Sequence, residues 1–136
     1  MSAQRSPAHD VALMLAANAL VGLGGATDWS INVGGLPERP DNTIAVMDDG
    51  GPGALMYPEQ ITRPQIQVLL RSRDYSVGWN RLNADVNFLL ESGRQEFGAY
   101  FYWGFDQTGD VMPLGPDERG LFMFSANLYL HRQLLP

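Results

Sequence analysis

Arg63-Pro64-Gln65-Ile66-Gln67-Val68-Leu69-Leu70-Arg71, followed at once by Ser72-Arg73-Asp74-Tyr75, is the stretch that decides the fold class. Ile66, Val68 and Leu70 alternate with Gln65, Gln67 and Leu69, the period of two expected of a strand with one buried face. Pro64 suits a first strand residue, where its missing N–H breaks no ladder. Asp74 stands as an N-cap, and Trp79, Leu82, Val86, Leu89 and Leu90 then recur at helical spacing over Tyr75–Ser92. Asn80, Asn83, Asn87 and Glu91 occupy the outer face, and Gly93 closes the helix. A strand thus passes directly into an amphipathic helix.

Toward the N-terminus, Ser6-Pro7 reads as an N-cap with proline at the first helical position, opening a helix over Pro7–Val21 that Gly22, Gly24 and Gly25 end. Trp29, Ile31 and Val33 alternate with polar residues as a half-buried strand. Gly34 to Asn42, with two prolines and two glycines, is a connector, and Thr43–Met47 a short strand. Gly50 to Gln60 reads as a long exposed loop with unusually apolar members, Ala54, Leu55, Met56 and Tyr57. Toward the C-terminus, Phe97–Phe105 is an aromatic strand, Asp106–Gly109 a turn and Pro113–Gly120 a second turn region. Leu121–Leu130 is a long strand with Phe122, Phe124, Ala126, Leu128 and Leu130 on one face. The order α, β, β, β, α, β, β, with the last two strands antiparallel neighbours, predicts an α+β fold. Two helices pack on one face of a small, mainly antiparallel sheet. We expect one domain over residues 1–136, with 1–6 as a flexible tail.

Composition narrows the chemistry. The 136 residues suit a single core. Nine Arg against fifteen Asp and Glu give 9 − 15 = −6, which argues against a protein built to grip phosphates. With neither Lys nor Cys there is no Schiff-base amine, P-loop lysine, disulfide or thiolate. His9 and His131 stand far apart without companions, so no metal site is expected, and no glycine-rich nucleotide loop is present to hold a cofactor. Val11–Leu23 is too short to span a bilayer, so no membrane association is expected.

Residues with a sharper reading each have a plainer one. Asp48-Asp49 before Gly-Gly-Pro suits a carboxylate pair in a small metal-dependent hydrolase, but acids there are also ordinary turn formers. His131 has no Ser or Asp placed beside it by any motif. Tyr100, Phe101, Tyr102 and Trp103 form a set able to stack bases, or to fill a core or subunit interface. Arg63, Arg71 and Arg73 suit a phosphate clamp or, in an acidic assembling protein, ion pairs to neighbours.

The segments Pro40-Asp41-Asn42-Thr43-Ile44-Ala45-Val46-Met47-Asp48-Asp49-Gly50-Gly51-Pro52, Arg63 to Arg71 and Asp74-Tyr75-Ser76-Val77-Gly78, in that order, resemble the minor capsid or tail terminator (neck) proteins of long-tailed bacteriophages. Gly104-Phe105-Asp106 and the strand Leu121–Leu128 resemble that family's end. The resemblance implies a ring-forming α+β protein of the virion, a homo-hexamer at the head–tail junction assembled in the host cytoplasm. It caps the finished tail tube, stops tube polymerisation and offers a docking surface to the head connector. Its implied partners are its own copies, the tail tube protein and the head-completion protein, with genome DNA passing through the lumen without specific binding. No catalytic residue and no cofactor come with the resemblance. A head-side neck or tail-completion protein is the alternative within the same particle. The candidates for subunit contact are Leu55, Met56, Tyr57, Arg63, Arg71, Arg73, Tyr100, Tyr102 and Trp103. Six copies would carry 6 × −6 = −36 of formal charge, so a carboxylate-lined lumen that repels DNA is a further expectation.

Overall fold

A computed structural model describes residues 4–22, 29–51, 54–56 and 61–136. The elements are α1 (Pro7–Gly22), β1 (Ser30–Val33), β2 (Thr43–Asp48), β3 (Ala54–Met56), β4 (Ile61–Thr62) and β5 (Gln65–Ser72). They continue with α2 (Tyr75–Leu90), β6 (Gln95–Phe97), β7 (Tyr100–Gln107), β8 (Met112–Pro116) and β9 (Phe122–Leu134). The strands join in one curled, mixed sheet, and the α+β expectation holds.

The long strand β9 is the spine. Along one edge it pairs antiparallel with β5, Ser72↔Phe122 through Gln65↔Tyr129, and then with β4 at Arg132 and Gln133. Along the other edge it pairs antiparallel with β8 and then β7, the latter from Gln107↔Leu128 to Tyr100↔Leu134. β2 pairs antiparallel with β5, while β1 pairs parallel with β2, the one parallel junction among the described residues.

The alternation seen in the sequence sets the two faces. Ile66, Val68 and Leu70 of β5, Ile44 and Val46 of β2, and Phe124, Ala126, Leu128 and Leu130 of β9 are buried. Val11, Leu15, Leu82, Val86 and Leu89 of the two helices close over them. Asp74 caps α2 as expected, its carboxylate accepting from Val77 N at 2.9 Å. The helix approaches the sheet closely at Gly78, where a Cβ would lie 2.8 Å from both Phe124 and Ser72. At the start of α1, Ser6 Oγ accepts from His9 N and Asp48 Oδ1, from the end of β2, accepts from Ala8 N. These bonds satisfy orphan donors of the first turn.

Several elements differ from expectation. Ala54–Met56, read as loop, is an edge strand antiparallel to β4. The aromatic strand is a hairpin of β6 and β7 turned at Gly98-Ala99, where Gly98 has φ 62°. Met112–Pro116, read as a turn, is the edge strand β8. Pro113 and Pro116 are tolerated because β8 has only one neighbour among the described residues, is exposed throughout and is bulged between Pro113 and Gly115. In α2, Trp79 and Leu90 are 36% and 37% exposed rather than core, and the helix ends at Leu90. Val33, placed with Trp29 and Ile31 on a buried face, is exposed. The proposed helix stop at Gly24 and Gly25 lies outside the described residues.

Candidate functional site

The nine contact candidates separate once their surroundings are known. Leu55 and Met56 lie on β3, whose second edge has no partner strand among the described residues. Tyr57 lies outside the described residues. Trp103 sits at the β7 bulge, 48% exposed, its Nε1 donating to Gln133 Oε1 at 3.2 Å and its ring edge-on to Phe101. Arg73 is exposed beside Asp41. The guanidinium of Arg63 lies over the Tyr129 ring at 5.3 Å, with Nε buried and unpartnered.

Two candidates are moved off the surface. Arg71 is buried, and its guanidinium donates to the carbonyls of Pro37, Glu38, Pro40 and Asp41, holding the connector 34–42 over the end of the sheet. Four carbonyls thus take the donors that a partner's carboxylate would have needed. Tyr102 has no exposed surface, because it faces the core beside Phe105 while its neighbours Phe101 and Trp103 face away. Tyr100 is half-buried under Arg132, whose guanidinium lies 3.7 Å from its ring centre.

Tyr102 belongs to a buried polar cluster that spacing in the sequence did not show. Its hydroxyl donates to Asp10 Oδ2, while Arg5 Nε donates to Asp10 Oδ1 at 2.6 Å. Arg132 donates to the Tyr102 hydroxyl and to the Arg5 carbonyl. Burial, then the bond to Asp10, raises the Tyr102 pKa, so the phenol remains a donor. Arg5, expected in a flexible tail, is thereby tied to α1 and β9.

A second buried ionic group lies under α2. Arg81 and Asp85, 3.2 Å apart and one turn from each other, are 5% and 1% exposed. Arg81 also lies over the Trp29 ring. Burial pushes the Asp85 carboxyl up to about 6, against the lowering effect of Arg81. These are the only charged side chains of α2. Its exposed positions are Tyr75, Ser76, Val77, Trp79, Asn80, Asn87 and Leu90, so the helix has its charges inside and none outside. The signal was in the sequence: Arg81 and Asp85 share the helical side of Leu82, Val86 and Leu89.

A group of surface charges meets at one corner, where Arg39, Arg73 and Arg119 approach Asp41 and Asp117 accepts from Arg119 N and Leu121 N. The backbone bond from Leu121 holds the Asp117 carboxyl below its usual value. Asp106 pairs with His131 Nε2 at 2.8 Å on the sheet face away from the helices. Asp48 is engaged at the start of α1, and its neighbour Asp49 donates its backbone N–H to the Gln65 carbonyl. Among the described residues no group of three or more His, Asp or Glu could hold a metal ion. No described helix is long and apolar enough to cross a membrane.

Known proteins share features with this chain. The family described as "Bacteriophage tail terminator protein" matches residues 15–134. Among solved structures, a chain described as "Virion of native gene transfer agent (GTA) particle" superposes with a TM-score of 0.63. That match has 12% identity and covers 94% of this chain and 95% of that one, a likeness of fold. No curated protein matches.

Proposed function

The chain belongs to the bacteriophage tail terminator family, and from that premise we propose that it closes the finished tail tube as a homo-oligomeric ring. The ring stops further tube subunits adding and presents the surface on which the head connector docks. The observation that carries this is the family match, which runs from α1 to the last residues of β9. A ring needs two different patches on each copy, and the helices layered on one face of the sheet give each copy two unlike sides. Assembly takes place in the host cytoplasm and the product is part of the virion. We assign no catalytic step; the chain works by shape. DNA passes through the lumen without specific binding, in keeping with the net charge of −6.

Removal of the gene from the particle that produces it tests this reading by electron microscopy. Overlong tails without heads are expected. Tails of normal length that fail to attach to heads would transfer the chain to the head-side neck or tail-completion role. Normal particles would overturn both.

A further inference from the structure

Tyr75 and Trp79, one turn apart at the start of α2, are 45% and 36% exposed. Both rings stand edge-on to Phe124, and Tyr75 also meets Phe122. Pro113 of β8 pairs with Phe124 and Pro116 with Phe122, so the two prolines share the face that carries those rings. Two exposed aromatic side chains, half-buried Phe122 and two exposed prolines thus form an apolar shelf. Exposed Tyr and Trp in one patch are the residue types that anchor binding. The shelf is rimmed by acids. Asp74 immediately precedes Tyr75, with its carboxylate on Val77 N. Asp117 immediately follows Pro116, and its carboxylate accepts from Leu121 N beside Phe122, a bond that keeps it ionised. Glu118 is exposed in the same turn. Arg73 and Arg119 of the same corner are turned to Asp41, and among the described residues no arginine side chain pairs with the three rim acids.

We propose that this shelf docks an apolar segment carrying Arg or Lys from a virion protein other than this chain. The contact rests on the reading of the chain as a tail terminator, which needs unlike partners at the tube and the connector, and names the chemistry of one of them. Complementary charge selects the occupant. A guanidinium or ammonium laid on Tyr75 and Trp79 gains from the ring faces and from the rim carboxylates, while its apolar neighbours cover Phe122 and the prolines. The same acids repel nucleic acid phosphates. A second copy fits poorly, because it has no Lys. Among the described residues each of its arginines except Arg94 already lies on an acid, a backbone carbonyl or an aromatic ring. Arg94 itself stands between Glu91 and Glu96 in the chain.

The test uses a fluorescein-labelled peptide, Leu-Arg-Pro-Leu-Arg-amide, and the same peptide with citrulline for arginine, which keeps the shape and loses the charge. Fluorescence anisotropy at low salt should show the arginine peptide binding at least about fivefold tighter, a preference that fades at high salt. Asp74→Asn combined with Glu118→Gln should remove most of that preference without uncapping α2, since Asn caps as well as Asp. Trp79→Ala should weaken the arginine peptide at least about fivefold, with Tyr75→Ala in its place if Trp79→Ala loses the wild-type circular dichroism. Trp103→Ala, on the opposite face of the sheet, should leave binding unchanged. Equal binding of the two peptides, a preference that survives the acid substitutions, or an equal loss in Trp103→Ala overturns the proposal. An oligomer of the wild-type chain that Trp79→Ala dissolves would give the shelf to a second copy and overturn it as well. Capping of tail tubes by the wild-type chain is scored separately. Capping without the arginine preference removes the shelf and leaves the tail terminator reading standing; the preference without capping does the reverse.

Discussion

The two buried ionic groups are built differently. Asp10 gathers its partners from residues 5 and 102, with Arg132 bonded to both partners, so the N-terminal segment, β7 and β9 meet and both carboxylate oxygens are satisfied, while Arg132 Nε is buried with no hydrogen-bond partner. Arg81 and Asp85 are neighbours on one helix, and Arg81 Nη2 and Asp85 Oδ1 are buried with no hydrogen-bond partner. The first group ties the N-terminal segment to the sheet. The second joins two residues of one helix, reaches beyond it where Arg81 lies over the Trp29 ring, and places charge where a helix usually has none. A buried carboxylate is costly unless its hydrogen bonds are complete, and only that of Asp10 has both oxygens satisfied, so the comparison distinguishes a tie from a cost.

The largest effect should come from Asp10→Ala, which strands Arg5, the Tyr102 hydroxyl and Arg132 together. A loss of about 3–5 kcal/mol is expected in urea unfolding. A loss below about 1 kcal/mol would place the cluster with surface pairs and erase the contrast. Next, Arg81→Leu alone should cost about 3 kcal/mol by leaving Asp85 unpaired, whereas Arg81→Leu with Asp85→Leu should be neutral or stabilising. If the double variant is as unstable as the single one, the pair is a tie after all. The third test uses pH. The folded carboxyl of Asp85 titrates near 6, above its ordinary 3.8, so the folded state binds the extra proton between these values. Stability from this group is therefore greatest below about pH 4 and falls as pH rises through 6, by on the order of 3 kcal/mol. The Asp85→Asn curve should lack that fall, so the fall appears in the difference between the two stability–pH curves. The smallest effect belongs to Asp74→Ala, which deletes the α2 cap at a cost of about 1 kcal/mol and should leave the Asp85 titration in place.

Much of this architecture was legible where a residue's role depends on its near neighbours. The alternation Ile66, Val68, Leu70, the Asp74 cap and the stripe on β9 all follow from local periodicity. What was not legible depends on contacts far along the chain. Arg71 reads as a surface arginine until the carbonyls of residues 37–41 are seen around it. Tyr102 reads as one of four aromatics until α1 brings Asp10 to its hydroxyl. The two prolines of β8 hide a strand because edge position, not sequence, decides whether proline fits. Trp79 follows the apolar stripe but lies near the helix start, where its ring meets Phe124 on one side only.

The position of β9 in the chain has a consequence for synthesis. β4, β5, β7 and β8 all hydrogen-bond to residues 122–134, which follow every one of them in sequence. A nascent chain lacking that strand holds separate ribbons with bare edges, prone to stick to other chains. A transcript cut before codon 122 therefore gives no partly working subunit. Residues 122–134 decide whether the separate ribbons join in one sheet, and with it whether a copy exists that can join an assembly.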